Sequence, residues 1–236
     1  ARDVRGTADV DTRRAERELG QVLVDRDFAV DLDAPDHELR AVFAGDTCAL
    51  GWLVAASVRD YGDRRPTDRP FFQPGSMAPL LARALVNLAG ARPGATVLDP
   101  MCGTGGLLLE AGLVGATPLG ADAQAKMVRG TRENLAAHLE DFGLFRADAT
   151  RLPLRDGAVD AAVFDAPYGR QSAVERHDLA DLVGGALTEA RRVAPRAVVV
   201  GDRSWADAAS DAGWAVESRF ERRVHRSLTR HVLVLE

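Results

Sequence analysis

The sequence predicts an α/β fold, a doubly wound and mostly parallel sheet closed by an antiparallel terminal strand, with a small α+β segment in front of it. Three observations carry this expectation. From residue 96 onward, short apolar runs alternate with segments of helical periodicity, the pattern of βαβ units. Successive runs close on an acid, at Asp99, Asp122, Asp148 and Asp165. The tail, 214–224 and 228–235, consists of two apolar-alternating stretches and reads as a hairpin.

Residues 11–24 are expected to form an amphipathic helix with Leu19, Val22 and Leu23 on one face, and Phe28-Ala29-Val30-Asp31-Leu32 a short strand. Residues 38–43 and 49–54 flank the turn Ala44-Gly45-Asp46 and read as a hairpin. This segment, 1–60, is thin for an independent core and is expected to be a partial domain. The stretch 60–70 is rich in Arg, Asp, Pro and Gly, so 61–75 is expected to be a linker and the entry to a second domain, 76–236. Ser76 is the expected N-cap of a helix carrying Leu81, Ala84, Leu85 and Leu88, with Pro79 in its first turn and Gly90 at its end. Then follow strand 96–99, helix 105–112, strand 117–121, helix 124–139, strand 143–147 and strand 159–165. A helix with Leu179, Leu182, Val183, Ala186, Leu187 and Ala190 on one stripe, strand 197–201, helix 204–212 and the terminal hairpin complete the sheet.

At 236 residues and 46% hydrophobic content the chain holds one large domain and a small appendage. No apolar stretch reaches the ~20 residues of a membrane span and no charged-then-apolar leader opens the chain, so a cytoplasmic location is expected. The two cysteines, Cys48 and Cys102, exclude a disulfide framework and have no metal-ligand spacing, so no metal is expected; Cys102 reads as a small packing residue. A net charge of −5 argues against a nucleic-acid partner, but the distribution counts for more than the sum: Lys126 is the only lysine, so nearly every positive charge is an arginine.

Thr96-Val97-Leu98-Asp99 runs into Pro100-Met101-Cys102-Gly103-Thr104-Gly105-Gly106, a strand followed by a glycine turn and a helix, which lets backbone approach a ligand. Asp122 is placed to accept from both hydroxyls of a ribose and Asp148 from an adenine amino group. The loop departs from the dinucleotide fingerprint G-x-G-x-x-G, and no set of basic residues waits for a pyrophosphate. S-adenosylmethionine, a nucleoside cofactor without phosphate, fits this pattern. Asp99 would face its ammonium group and Ser76-Met77 its methionine end. The cofactor-binding set is therefore expected to be Ser76, Met77, Asp99, Met101, Gly103, Thr104, Gly105, Asp122 and Asp148.

Asp165-Ala166-Pro167-Tyr168 follows the apolar run 159–164, at the carboxyl end of its strand, where open α/β sheets hold ligands. An exocyclic base nitrogen is a poor nucleophile because its lone pair is delocalised into the ring. The Asp165 carboxylate and the Ala166 main-chain carbonyl can each accept one N–H, turning the lone pair toward an in-line methyl donor. Pro167 restrains Ala166 to an extended conformation, and Tyr168 is placed to stack on a base swung out of its helix.

These motifs resemble the THUMP-containing archaeal and eukaryotic tRNA guanosine N2-methyltransferases that act at position ten. The likeness rests on 30–36, Arg69-Pro70-Phe71-Phe72 through Leu88, 98–106, Asp165 through Arg170, and 224–230, nearly the whole chain from about residue 20. It implies a Rossmann-like class I S-adenosylmethionine-dependent fold with seven strands, a THUMP-like first segment, a tRNA partner and N2-methylguanosine or its dimethyl form as product. Asp rather than Asn at position 165 favours a nucleobase over a glutamine side chain. The family has a second proline where Ala166 stands, and its members carry a complete N-terminal RNA-binding region, inside which this chain is expected to begin. Arg64, Arg65, Arg69, Arg170, Arg226 and Arg230, with Arg222 and Arg223, are expected to flank the active-site mouth and meet tRNA phosphates. An rRNA guanine N2-methyltransferase and a non-catalytic RNA-binding subunit are the rival readings.

Overall fold

The computed structural model describes residues 1–168, 176–225 and 228–236. The chain divides into two compact units, Ala1–Arg59 and Asp60–Glu236.

The first unit holds strand β1 (Arg2–Asp3), helix α1 (Thr12–Val24) and strands β2 (Leu39–Ala44) and β3 (Thr47–Trp52). Asp11 caps α1, its carboxylate accepting from the Arg14 amide at 3.1 Å. β2 and β3 pair antiparallel about the two-residue turn Gly45-Asp46, where Gly45 takes φ +53° as a tight hairpin requires. β1 adds in parallel to β2, an element that two residues of sequence do not betray. The expected strand at 28–32 does not form. Leu32 is 91% exposed, and the Asp31 carboxylate instead folds the chain into a turn by accepting from the amides of Asp33 (2.8 Å) and Ala34 (3.1 Å). Ala41 is the one buried hydrophobic side chain of this unit.

The second unit opens with two short 3₁₀ turns, Tyr61–Arg64 and Pro66–Asp68, where a linker is expected from composition. Arg64 and Arg69 are buried there; Arg64 enters the core because acids meet it, which composition does not reveal. Helix α2 (Pro79–Leu88) begins with Ala78 as N-cap and Pro79 in the first turn. Ser76 does not cap it; its hydroxyl donates to the Gln73 carbonyl at 2.7 Å and lies 3.0 Å from the Thr104 hydroxyl.

Then come β4 (Thr96–Asp99), α3 (Gly106–Leu113), β5 (Thr117–Asp122), α4 (Ala125–Ala136), β6 (Gly143–Arg146), β7 (Ala161–Asp165), α5 (Arg176–Val193), β8 (Ala197–Gly201), α6 (Ala206–Asp211), β9 (Val216–His225) and β10 (Leu228–Leu235). They build a seven-stranded sheet in the order β6-β5-β4-β7-β8-β10-β9, parallel except for β10, which runs antiparallel to β8 and β9. The chain leaves β4 toward β5 and β6, then returns to lay β7 on the other side of β4. This reversal opens a crevice at the carboxyl ends of β4 and β7.

Both sheet faces are covered, so the central strands are apolar throughout rather than alternating. Ala162, Phe164, Ala197 and Val199 pack with Leu179, Val183 and Leu187 of α5. Ala161, Val163, Val198 and Val200 pack with Leu81, Leu85 and Val86 of α2. Each such large side chain contributes about 1.5–3 kcal/mol, which makes β4, β7 and β8 a rigid floor for the acids at their ends. Among the described residues no helix is long and apolar enough to cross a membrane.

Candidate active site

The β4–α3 loop is held open by its glycines and by α4. Gly103 and Gly105 take φ +53° and +77°, and a Cβ on Gly105 would meet the Thr131 methyl at 2.7 Å. Thr131 donates to the Gly103 carbonyl at 2.6 Å, and Asn134 donates to the carbonyls of Thr104 (2.9 Å) and Phe71 (2.8 Å). The Phe71 amide donates back to Asn134 Oδ1 at 2.8 Å. Sequence reasoning misses this pair; the available signal is two polar residues three apart on the buried stripe of an amphipathic helix.

A cavity of about 220 Å³ lies over the loop. Ser76, Met77, Asp99, Met101, Gly103 and Thr104 line it from the β4–α3 side, and Asp165 lines it from the β7 side. One cavity thus joins the glycine loop to Asp165, while Ala166, Pro167 and Tyr168 are not in its lining. Asp99 is 2% exposed and accepts from the Met101 amide at 3.0 Å. Burial, with Asp122 and Asp165 nearby, holds its carboxyl well above the usual range.

Gly105, Asp122 and Asp148 do not line this cavity. Gly105 is the residue from which α3 starts. Asp122 ends β5 and accepts from the amides of Gly103 (3.1 Å) and Gln124 (2.9 Å), with burial raising its pKa. Asp148 lies beyond the end of β6, exposed, and accepts from the amide and hydroxyl of Thr150, both at 2.9 Å. Cys102 is buried, which pushes its thiol up and suits packing rather than nucleophilic chemistry.

At the end of β7 the Ala166 amide donates to the Val200 carbonyl at 2.7 Å, fixing the tetrapeptide to β8. The Tyr168 hydroxyl donates to Asp165 Oδ1 at 2.7 Å, and Arg230 Nε donates to the same hydroxyl at 3.0 Å. Arg230 Nη2 lies 3.7 Å from Asp165 Oδ2 and 3.5 Å from the Gly75 carbonyl. Burial first, then the nearby Asp202, pushes Asp165 up to about 6 against the opposing pull of Arg230 and Tyr168. Burial and Asp165 raise the Tyr168 phenol, which keeps it a donor.

The arginines divide differently from the expectation. Arg64 is 3% exposed and grips Glu110 with Nε at 2.6 Å and Nη2 at 3.2 Å, while Nη1 meets Asp60 at 2.7 Å. Arg83 adds a contact to Glu110 at 2.9 Å. Arg69 is buried behind the start of α3 and donates through Nε to the Arg64 carbonyl at 3.2 Å; its Nη1 and Nη2 meet no hydrogen-bond partner among the described residues. Arg230 is 6% exposed. Arg64, Arg69 and Arg230 therefore point inward, away from any phosphate, because each is enclosed by the fold. Arg65, Arg222 and Arg223 are exposed, and Arg170 and Arg226 lie outside the described residues.

Comparison with known proteins agrees with this architecture. The solved structure of a possible methylase from Clostridium difficile 630 shares the fold, with a TM-score of 0.61 at 14% identity over 94% of this chain and 68% of that one. A tRNA (guanine(10)-N2)-dimethyltransferase of Methanothermobacter thermautotrophicus is 40% identical over 97% of this chain and 70% of its own length. The protein of the same name in Pyrococcus abyssi is 30% identical over 96% of this chain and 70% of its own length. The family model described as UPF0020, RMKL-like, methyltransferase domain matches residues 66–232. With that match over most of its length and relatives of this identity, the chain belongs to the RMKL-like methyltransferase family.

Proposed function

We propose that this protein methylates the exocyclic N2 of a guanosine in tRNA, at position ten, with S-adenosylmethionine as donor and N2-methylguanosine or N2,N2-dimethylguanosine as product. The observation that carries the reading is the single cavity lined by Asp99 and the glycine loop on one side and by Asp165 on the other, where donor and acceptor would share one space. The relatives' names supply the nucleotide and its position.

The lining fits the cofactor's chemistry. Asp99 and Asp165 present two buried acids to a cavity with no phosphate-binding cation among the described residues of its lining, which suits a ligand carrying ammonium and sulfonium charge. The loop backbone at 103–106 would receive the methionine end, and beyond the cavity lining Asp122 would take the ribose hydroxyls and Asp148 the adenine edge. When bound, the cofactor supplies an electrophilic methyl group on sulfur. Asp165 and the Ala166 carbonyl accept the two N–H groups of the guanine amine and turn its lone pair toward that methyl. Once nitrogen had taken the methyl group, the surplus proton on it would pass to Asp165. Tyr168 bears on the face of the flipped base.

The Ala1–Arg59 unit is read as a THUMP-like segment that holds tRNA in the cytoplasm, helped by exposed arginines such as Arg65, Arg222 and Arg223. The test is incubation with methyl-labelled S-adenosylmethionine and unmodified tRNA and rRNA, followed by nucleoside analysis of each. Label in N2-methylated guanosine at position ten supports the reading; label in another nucleoside, or only in rRNA, contradicts it.

A further inference from the structure

We propose that Arg230 is a positioning residue for methyl transfer, fixing the Tyr168 hydroxyl against Asp165 and keeping that carboxylate in its ionised, hydrogen-bond-accepting form. The inference rests on the amino-methyl transfer reading above and reassigns a residue that the sequence pattern placed among tRNA contacts.

Topology brings Arg230 to this place. β10 is inserted antiparallel between β8 and β9, with His231 opposite Gly201, the last residue of β8. Arg230 is the next residue outward, at the carboxyl edge of the sheet. In the neighbouring pair Asp165 stands opposite Val200 on β8, so the guanidinium and the carboxylate reach the same edge from β10 and β7. Nε donates to Tyr168 Oη at 3.0 Å, and Nη2 lies 3.7 Å from Asp165 Oδ2 and 3.5 Å from the Gly75 carbonyl on the cavity wall. The side chain is 7% exposed, too enclosed to serve a phosphate.

The charges around Asp165 show why a cation is needed. Asp202, just past β8, opposes its ionisation, and the Asp165 charge in turn raises the buried Asp99 carboxyl at the end of β4. Tyr168 from its own segment and Arg230 from β10 favour the ionised form. A protonated Asp165 would present a donor toward the guanine amine where an acceptor is required. Among the described residues Arg230 is the cation of this group, and its planar fork can serve the phenol and the carboxylate together.

The experiment measures single-turnover methyl transfer to tRNA from about pH 5 to 9 in the full chain, alongside cofactor affinity, tRNA affinity against salt, and thermal melting. Arg230→Gln and Arg230→Met both remove the charge, the second by an apolar replacement suited to an enclosed site, and Arg230→Lys restores it. Loss of an opposite charge at this range should move the acid limb of the rate profile up by about one pH unit or more, with rate recovering at high pH. In Arg230→Lys the limb should return toward its original position. tRNA affinity and its salt slope should stay as in the unaltered protein. A limb that stays in place in whichever charge-removing variant folds would overturn the inference, as would a defect confined to tRNA affinity with a smaller salt slope, the mark of a phosphate contact. If the unaltered protein forms no N2-methylguanosine, the reading beneath the inference fails instead.

Discussion

The Tyr168 hydroxyl sits 2.7 Å from Asp165 Oδ1 and donates to it, so the free protein already presents this carboxylate as an acceptor with one oxygen partly engaged. Asp165 is pushed up to about 6, chiefly by burial. Below that pH it is protonated, keeps a reduced acceptor capacity and cannot take the surplus proton; above it, the carboxylate can do both. The rate of methyl transfer at limiting substrate should fall as pH drops through about 6 and level off above it. A pH profile of kcat/KM checks this, and a rate that stays flat down to pH 5 would contradict it.

Glu110, fully buried on α3, is the counter-charge for Arg64 at 2.6 Å and Arg83 at 2.9 Å. Glu110→Gln would remove the acid that Arg64 and Arg83 share, leaving Arg83 without this ion pair and Arg64 with Asp60 alone, and Arg69 close behind. Urea denaturation should show a loss of about 3–5 kcal/mol. A loss within experimental error would mean that these arginines find water or other partners.

Gly105 combines φ +77° with a 2.7 Å approach of the Thr131 methyl to its would-be Cβ. Gly105→Ala should cost about 1–3 kcal/mol in backbone strain and weaken cofactor binding, since the loop backbone shapes the cavity. Combining it with Thr131→Ser, which removes the methyl and keeps the hydroxyl, should recover part of the loss in a double-mutant cycle. No recovery would place the whole cost in the backbone.

The parallel sheet was legible because its signals are local. Runs such as 159–165 and 197–201 are apolar throughout, since both faces are covered, and Asp99, Asp122 and Asp165 do end strands. What was not legible depends on partners distant in sequence. Phe28–Leu32 looks like a strand but pairs with none among the described residues, and the Asp31 turn takes its backbone. Arg64 and Arg230 look like surface charge until Glu110, 46 residues away, and Tyr168, 62 residues away, are brought against them. Thr131 and Asn134 support the glycine loop from a helix that reads only as amphipathic.

The most direct test of the account separates the chemical step from cofactor binding at Asp165, which lines the same cavity as the glycine loop. In Asp165→Ala, single-turnover methyl transfer to tRNA should fall by about 10²–10³ or more, as for loss of one preorganised hydrogen-bonding group at a reacting centre. Calorimetry on the same variant should show S-adenosylmethionine affinity nearly unchanged. Transfer at close to the original rate, with N2-methylguanosine still formed, would contradict the assignment of Asp165 as the acceptor that shapes the guanine amine.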